Sequence, residues 1–439
     1  AGLVVKTPSG DDYKLEVRDD GGIQWKNRED GSIINPPSSS PSSSVAINVK
    51  DFGATAAGET DDTLAIQSAI NLVGSGEGGI VFMPTGDYLH STIHINNPNV
   101  KLIGEGIGTF LYNTYNTPSI VIGVEGRSIF NCEIKSLYIH GDDGDSPLAH
   151  GIEFIGDNPA YHIIEDVKIS RFGGHGIYGG HMGHVNNVEI SRCIIEHGKL
   201  DGINMEYGGG QINAVWIHHN NIVTCRNGIL FYGNNVVVES NTIQANRNYA
   251  VSLSDNTLTT VKSCLGSAII NNYTELNASS VSQNASVIGV FAGYSSDSVD
   301  TNKVLRGLVI ENNFIAENGD KFSSLIYVED IKSSVPSNKA CVVRTRNNQS
   351  DLPLLSYNDV SVFGEGWVID ENFWALFIGE AMESLPKHVE VRGIVAGSSS
   401  SLERELTDFK TSDAPIQYGG KFEWRFNPST NSLDLVVLD

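Results

Sequence analysis

The sequence predicts an all-β fold, a right-handed parallel β-helix with an N-terminal capping helix and small terminal β elements, and three observations carry that prediction. The 439 residues exceed the size at which one hydrophobic core stops growing, so the chain is either several domains or an elongated repeat. Its 46 Gly, abundant Asn, Ser, Val and Ile, and a helical pattern in one early segment only describe short strands separated by turns. Apolar residues alternate in VKISRF, VEISRCII, VWIHHNNIV, VVVESNTIQ and LVIENNFIA, each run closing on turn residues.

Residues 1–34 open the chain as a β appendage, because YKLEVRDDGGIQWK alternates polar and apolar around a turn at Asp19 to Gly22. Residues 35–44, NPPSSSPSSS, are too rich in Pro and Ser to bury a core and read as a linker. Residues 45–385 form the β-helix domain. Its first coil is followed by TLAIQSAINLV, where Leu64, Ile66, Ile70 and Val73 fall near helical spacing. A solenoid exposes the open end of its core, so this helix is expected to cap it. Residues 386–439, with GSSSS and the hairpin pattern KFEWRFNPSTNSLDLVVL, are a terminal β cap or an oligomerisation element.

Within the solenoid, Ile169, Ile190, Ile217 and Val238 are taken as equivalent, spaced by 21, 27 and 21 residues, about one coil each. HGIEFIG, HGIYGGH, DGINMEYG, NGILFYG and YAVSLS interleave with them in the same order and define a second sheet. Asn220, Asn241 and Asn313 each fall three residues after a reference apolar position, where stacked turn amides bond to one another and tolerate left-handed backbone.

Charge narrows the partners. Against 29 Lys plus Arg stand 52 Asp plus Glu, and the net charge of −23 opposes binding to nucleic acid or to an anionic membrane surface. No apolar run approaches the roughly 20 residues that cross a bilayer, and AGLVVKTPSG has no charged-then-apolar leader pattern. Cys132, Cys193, Cys225, Cys264 and Cys341 lack CxxC spacing and read as buried small hydrophobes.

Parity selects the candidate site. With Ile152, Phe154, Ile177, Ile203, Met205, Ile229 and Phe231 inward, Glu153, Tyr178, Asn204 and Leu230 form one outward column, and Glu206 and Tyr232 extend its neighbour. Strands stack about 4.8 Å apart, so Glu153 and Glu206 are expected roughly 9 to 10 Å apart, near the upper limit for an inverting carboxylate pair. Nine of the twelve histidines lie between His140 and His219. A neutral imidazole beside a carboxylate and a tyrosine shuttles protons near neutral pH, which Tyr178, His181 and Glu206 could do together. The plainer alternative is that Glu206 and Tyr178 are solvated outer positions. His150, His175 and Asp201 all precede Gly in one turn slot, which repeat architecture alone explains. No HxH or HExxH spacing supports a zinc site, and no cofactor is required. Asp142, Asp143 and Asp145 of HGDDGDS could hold Ca2+, although a solvated acidic loop is the plainer reading.

The run VKDFGATAAGETDDTLAIQSAI, with GGIVFMPTGDYLH and VKLIGEG after it, resembles the opening of the pectate-lyase-like β-helix superfamily, which includes phage tailspike depolymerases and mannuronan epimerases. The likeness to the epimerases continues through HGIYGGHMGHVNNVEISRCIIEHGKLDGINMEYG and covers residues 46 to about 260. It implies a catalytic histidine at His181 and puts Glu206 where those enzymes carry an aspartate. His175 stands where they have a catalytic tyrosine, and Tyr178 stands near one of their aspartates. The tailspike likeness implies a homotrimer and an extracellular, secreted or virion-associated setting.

The reading that follows is a depolymerase working on a polysaccharide along residues 150 to 240. Hydrolysis is placed narrowly ahead, with Glu206 and Glu153 or Asp201 as acid and base and His181 and Tyr178 orienting the sugar. His175, Asn204, Arg171, Arg192, Tyr232 and Trp216 complete the substrate-binding set. The alternatives are a lyase or epimerase, in which His181 and Tyr178 handle the carbon-5 proton of a uronic acid while Arg171 and Arg192 neutralise its carboxylate, and a non-catalytic carbohydrate-binding tail or adhesin domain.

Overall fold

A computed structural model describes residues 46–179, 184–205, 212–253, 264–277, 305–316 and 342–348 continuously and, elsewhere, the strands alone. The chain is wound as a right-handed parallel β-helix built from a 23-stranded sheet and an 11-stranded sheet. Between them runs one continuous apolar core in which Ile152, Phe154, Ile177, Ile203, Met205, Ile229 and Phe231 are all buried, as strand alternation requires. The first open coil is covered by a helix, Thr63–Gly74, that buries Ile66, Ala69, Ile70 and Val73. Leu64 is 81% exposed, so the buried stripe is i, i+3, i+4, i+7 from Ile66, with Ala69 in the place expected of Leu64.

At the N-terminus, Asp12–Val17 pairs antiparallel with Ile23–Asn27 in a four-stranded sheet. Near the C-terminus, Lys421–Asn427 pairs with Ser432–Leu438 as a two-stranded hairpin.

The long sheet turns a corner in each coil, and at successive corners a left-handed residue stands: Asp166, Arg192, His219, Ser240, Asn271 and Asn312. None is Gly, and left-handed backbone costs roughly 1–2 kcal/mol for such residues. The residue immediately after most of these corners supplies the compensation. Asn220, Asn241, Asn272, Asn313 and Asn348 stack into a ladder in which each Nδ2 donates to the next Oδ1 at 2.8–3.0 Å. Each amide also donates to a carbonyl of the preceding coil, as Asn241 does to Ile217 at 2.9 Å. The left-handed residue is therefore the ladder residue's neighbour, and Asn272 and Asn348 join the three asparagines that spacing picked out. Asn246 and Asn277 form a second, shorter ladder. Asn241→Ala strands several buried donors and acceptors at once and is expected to cost about 2 kcal/mol in urea unfolding, while a substitution at the exposed Leu276 costs little.

One equivalence needs correction. Ile190, Ile217 and Val238 are in register, but their partner in the preceding coil is Ile164. Ile169 pairs with Ile139 and Ile195, on the far side of the corner at Asp166. VKIS and VEIS look alike because both alternate, yet they lie on different sides of a corner.

Cys132, Cys193, Cys225 and Cys264 are buried free thiols, and desolvation raises their pKa values to between about 11 and about 12, which leaves them unreactive. Cys341 lies outside the described residues.

Candidate functional site

Five short strands of the 11-stranded sheet build the candidate site: Ile152–Phe154, Ile177–Tyr178, Ile203–Met205, Ile229–Phe231 and Val251–Leu253. Their registers put Glu153 beside Tyr178, Tyr178 beside Asn204, Asn204 beside Leu230 and Leu230 beside Ser252. The column drawn from parity thus exists. It is not an open surface: Glu153, Asn204, Leu230 and Ser252 are each at most 8% exposed, and Tyr178 is half-buried. Leu230 is buried without joining the core cluster, so the outer side of this sheet is itself covered.

The first four strands are preceded by a glycine and the fifth by Ala250, and the residue before that position occupies a stacked turn. A Cβ on Gly202 would fall 2.7 Å from the Gly228 carbonyl oxygen, so only glycine lets successive turns approach this closely. The close stacking turns the pre-glycine residues into a ladder. His175 N–H donates to His150 Nδ1 at 2.9 Å, Asp201 N–H to His175 Nδ1 at 3.2 Å, Asn227 N–H to Asp201 Oδ1 at 3.2 Å and Tyr249 N–H to Asn227 Oδ1 at 3.2 Å. Because Nδ1 of His150 and of His175 accepts a backbone N–H, each neutral ring carries its proton on Nε2.

Over this ladder sits Tyr178. Its ring centroid is 4.5 Å from that of His150 and 4.7 Å from that of His175, nearly parallel to the latter at 18°. The two imidazoles, themselves stacked at 5.3 Å, hold the phenol ring in one orientation.

Asp201, expected as an acid or base, lies in a buried and fully bonded setting. Its side chain is fully buried and is gripped by Arg226 through Nε at 2.8 Å and a terminal nitrogen at 2.7 Å. Asn227 Nδ2 and Asn204 Nδ2 also donate to it, both at 2.9 Å. Burial alone would raise its pKa, but the hydrogen bonds and positive charge of Arg226, with the His175 ring beside it, outweigh burial and hold the carboxyl below the ordinary range. So bound, the carboxylate stays ionised near neutral pH and anchors the turn and, through Asn204, the column.

The other expected residues disperse. His181 and Glu206 lie outside the described residues. Arg171 and Arg192 stand at left-handed corners of the other sheet, Arg171 paired with Asp143 at 2.6 Å and Arg192 with Asp166 at 2.8 Å and with Glu165. With their guanidinium groups taken up there, they do not meet the column. Tyr232 is 6% exposed and belongs to the core cluster, so it offers no binding face. Trp216 is exposed, but on the 23-stranded sheet.

Apart from the pairs His150–His175 and His218–His219, the described histidines take separate partners: His140 packs with Phe110, Tyr112 and Tyr138, His162 is buried against Cys132, and His197 meets Thr224. In the acidic loop, Asp143 and Asp145 are spent on Arg171 and Lys199, and Asp142 accepts from Gly144 N–H. Among the described residues no three His, Cys, Asp or Glu side chains are grouped to hold a metal. Reasoning from sequence missed Arg226 and Asn227. Asn227 was signalled by the pre-glycine slot it shares with Asp201, whereas nothing in the sequence pointed to Arg226.

A family model described as "Rhamnogalacturonase A/epimerase, pectate lyase-like" matches residues 46–278, more than half of the chain. Mannuronan C5-epimerase AlgE1 of Azotobacter vinelandii is 28% identical over 43% of this chain and 15% of its own length. Alginate lyase 7 of the same organism is 28% identical over 45% of this chain and 24% of its own length. The chain therefore spans less than a quarter of either curated relative. In structure it is similar to the A-module of Azotobacter vinelandii mannuronan C-5 epimerase AlgE4, with a TM-score of 0.52 and 16% identity over 79% of this chain and all of that module. That likeness is one of fold.

Proposed function

Because this chain belongs to the rhamnogalacturonase A/epimerase, pectate lyase-like family, we propose that it modifies a uronic-acid-containing polysaccharide by moving the carbon-5 proton, as an epimerase or a lyase. Both chemistries share a first step, removal of the proton beside the sugar carboxylate, and part afterwards. Reprotonation from the opposite face gives the epimer, and expulsion of the 4-oxygen cuts the chain and leaves a double bond. Each needs a proton carrier held in place at the sugar.

The observation that carries the reading is Tyr178, in register between Glu153 and Asn204 and oriented by two imidazole rings. A half-buried phenol with a locked ring is a suitable carrier, and His181, three residues on, is the partner that the family resemblance implies. The relatives described as a mannuronan C5-epimerase and an alginate lyase support the same pair of reactions.

Hydrolysis has less behind it, since it calls for two carboxylates able to exchange protons and Asp201 is committed to Arg226. The test is incubation with a polyuronate in deuterated water. Deuterium entering carbon 5 without chain shortening identifies an epimerase, and unsaturated ends identify a lyase. Saturated new reducing ends, or no change in any uronan tried, would overturn the proposal.

A further inference from the structure

We infer that Trp216, with Glu189, Glu239 and His218 around it, forms a second carbohydrate-binding subsite, on the sheet away from Tyr178, that takes a neutral glycan. Trp216 lies on Ile212–His218 in the 23-stranded sheet, in register with Glu189 in the preceding coil and Val237 in the next. It is 44% exposed, an unusual position for the largest apolar side chain unless its ring is used.

The ring is also held. One side stacks on His218, with centroids 3.8 Å apart, and its Nε1–H donates to Glu239 Oε2 at 3.2 Å. Beneath, His218 is buried and gripped at both nitrogens, by Glu189 Oε1 at 3.2 Å and by His219 Nδ1 at 2.9 Å. The exposed indole therefore does not have to be ordered by a ligand, which lowers the entropic cost of binding.

Three features choose the occupant. A flat aromatic face stacks on the C–H face of a sugar ring, and Val237, Ala268 and Ile270 continue from it as a half-buried, low floor across the next coils. The carboxylates of Glu189 and Glu239 accept hydrogen bonds from hydroxyl groups. Among the described residues neither carboxylate meets a lysine or arginine. In the preceding coils of the same sheet, Lys135 and Arg192 are bound to Glu133, Glu165 and Asp166. A polyuronate would meet two carboxylates with no lysine or arginine paired to them, a repulsion that a neutral chain escapes. This face therefore selects against the uronan proposed for the Tyr178 column and holds another glycan, or a neutral block of a mixed one.

Calorimetric titration of the full chain with a neutral β-glucan hexasaccharide and with a hexauronate tests it. The neutral sugar is expected to bind wild type and to weaken about tenfold or more in Trp216→Ala. Glu239→Ala, which frees the ring without removing it, should weaken it less. Conversion of a short uronan at the Tyr178 column should be unchanged in both variants, while Tyr178→Phe should leave the neutral sugar bound as in wild type, so the two sites fail independently. Undiminished binding of the neutral sugar by Trp216→Ala, no binding of it by wild type, or a lower mass in light scattering for Trp216→Ala, which would make the face a contact between copies of the chain, each overturns the inference.

Discussion

Tyr178→Phe should lower turnover on a polyuronate by about a hundredfold or more, the usual contribution of a positioned proton carrier, while KM changes little. The substitution removes one oxygen and keeps the ring, so the stacking on His150 and His175 survives and the column keeps its shape. The loss should therefore fall on kcat, with thermal unfolding unchanged. Deuterium incorporation at carbon 5 should fall in parallel with product formation, since the proton step itself is being slowed. A variant with wild-type turnover would remove Tyr178 from the chemistry and leave it a packing residue of the turn ladder.

Arg226→Met is expected to destabilise the solenoid by about 3–5 kcal/mol, the cost of leaving one member of a buried ion pair unpaired. The remaining member is Asp201, whose side chain has no exposure and whose other donors are neutral amides and a backbone N–H. Adding Asp201→Asn to Arg226→Met removes the stranded charge, so the double variant should be more stable than Arg226→Met alone. Urea unfolding of wild type and the two variants measures this directly.

The pH dependence has a definite sign. Asp201 is held below its ordinary 3.8 in the folded chain, so its contribution is complete above that value and is lost as pH falls toward the folded one. The stability gap between wild type and Asp201→Asn should accordingly be constant from neutral pH down to about 5 and close as the solution is acidified further. A gap that widens with acid would mean that Arg226 is not the partner that matters.

Much of the site's address was legible in the chain. HGIEF, HGIY, DGINM and NGILF share a glycine followed by strand alternation, and that is enough to align Glu153, Tyr178 and Asn204 across three coils. Period-two alternation says which side of a sheet a residue takes, but not whether that side is open. Hence parity placed Glu153 and Asn204 in the outward column, and only the structure shows that they are buried there.

The same limitation explains Ile169. VKIS and VEIS are both good outer strands, and what separates them is a left-handed corner at Asp166, a residue with no intrinsic preference strong enough to announce it. Histidine density misled for a related reason: residues close along the chain leave in different directions once the coil turns, so His140, His162 and His197 end with unrelated partners.

What the sequence determined by itself is therefore the winding: repeated alternation, one capping helix and asparagines at recurrent offsets can bury their apolar faces only by stacking coil on coil. What tertiary structure alone decided is the state of each polar group. Asp201 is anchored because Arg226, 25 residues away, lands beside it one coil later, and Trp216 is separated from Tyr178 because their strands belong to different sheets. Such outcomes depend on coil length, corner geometry and what lies above each sheet, and these are set by contacts between distant residues and not by local pattern.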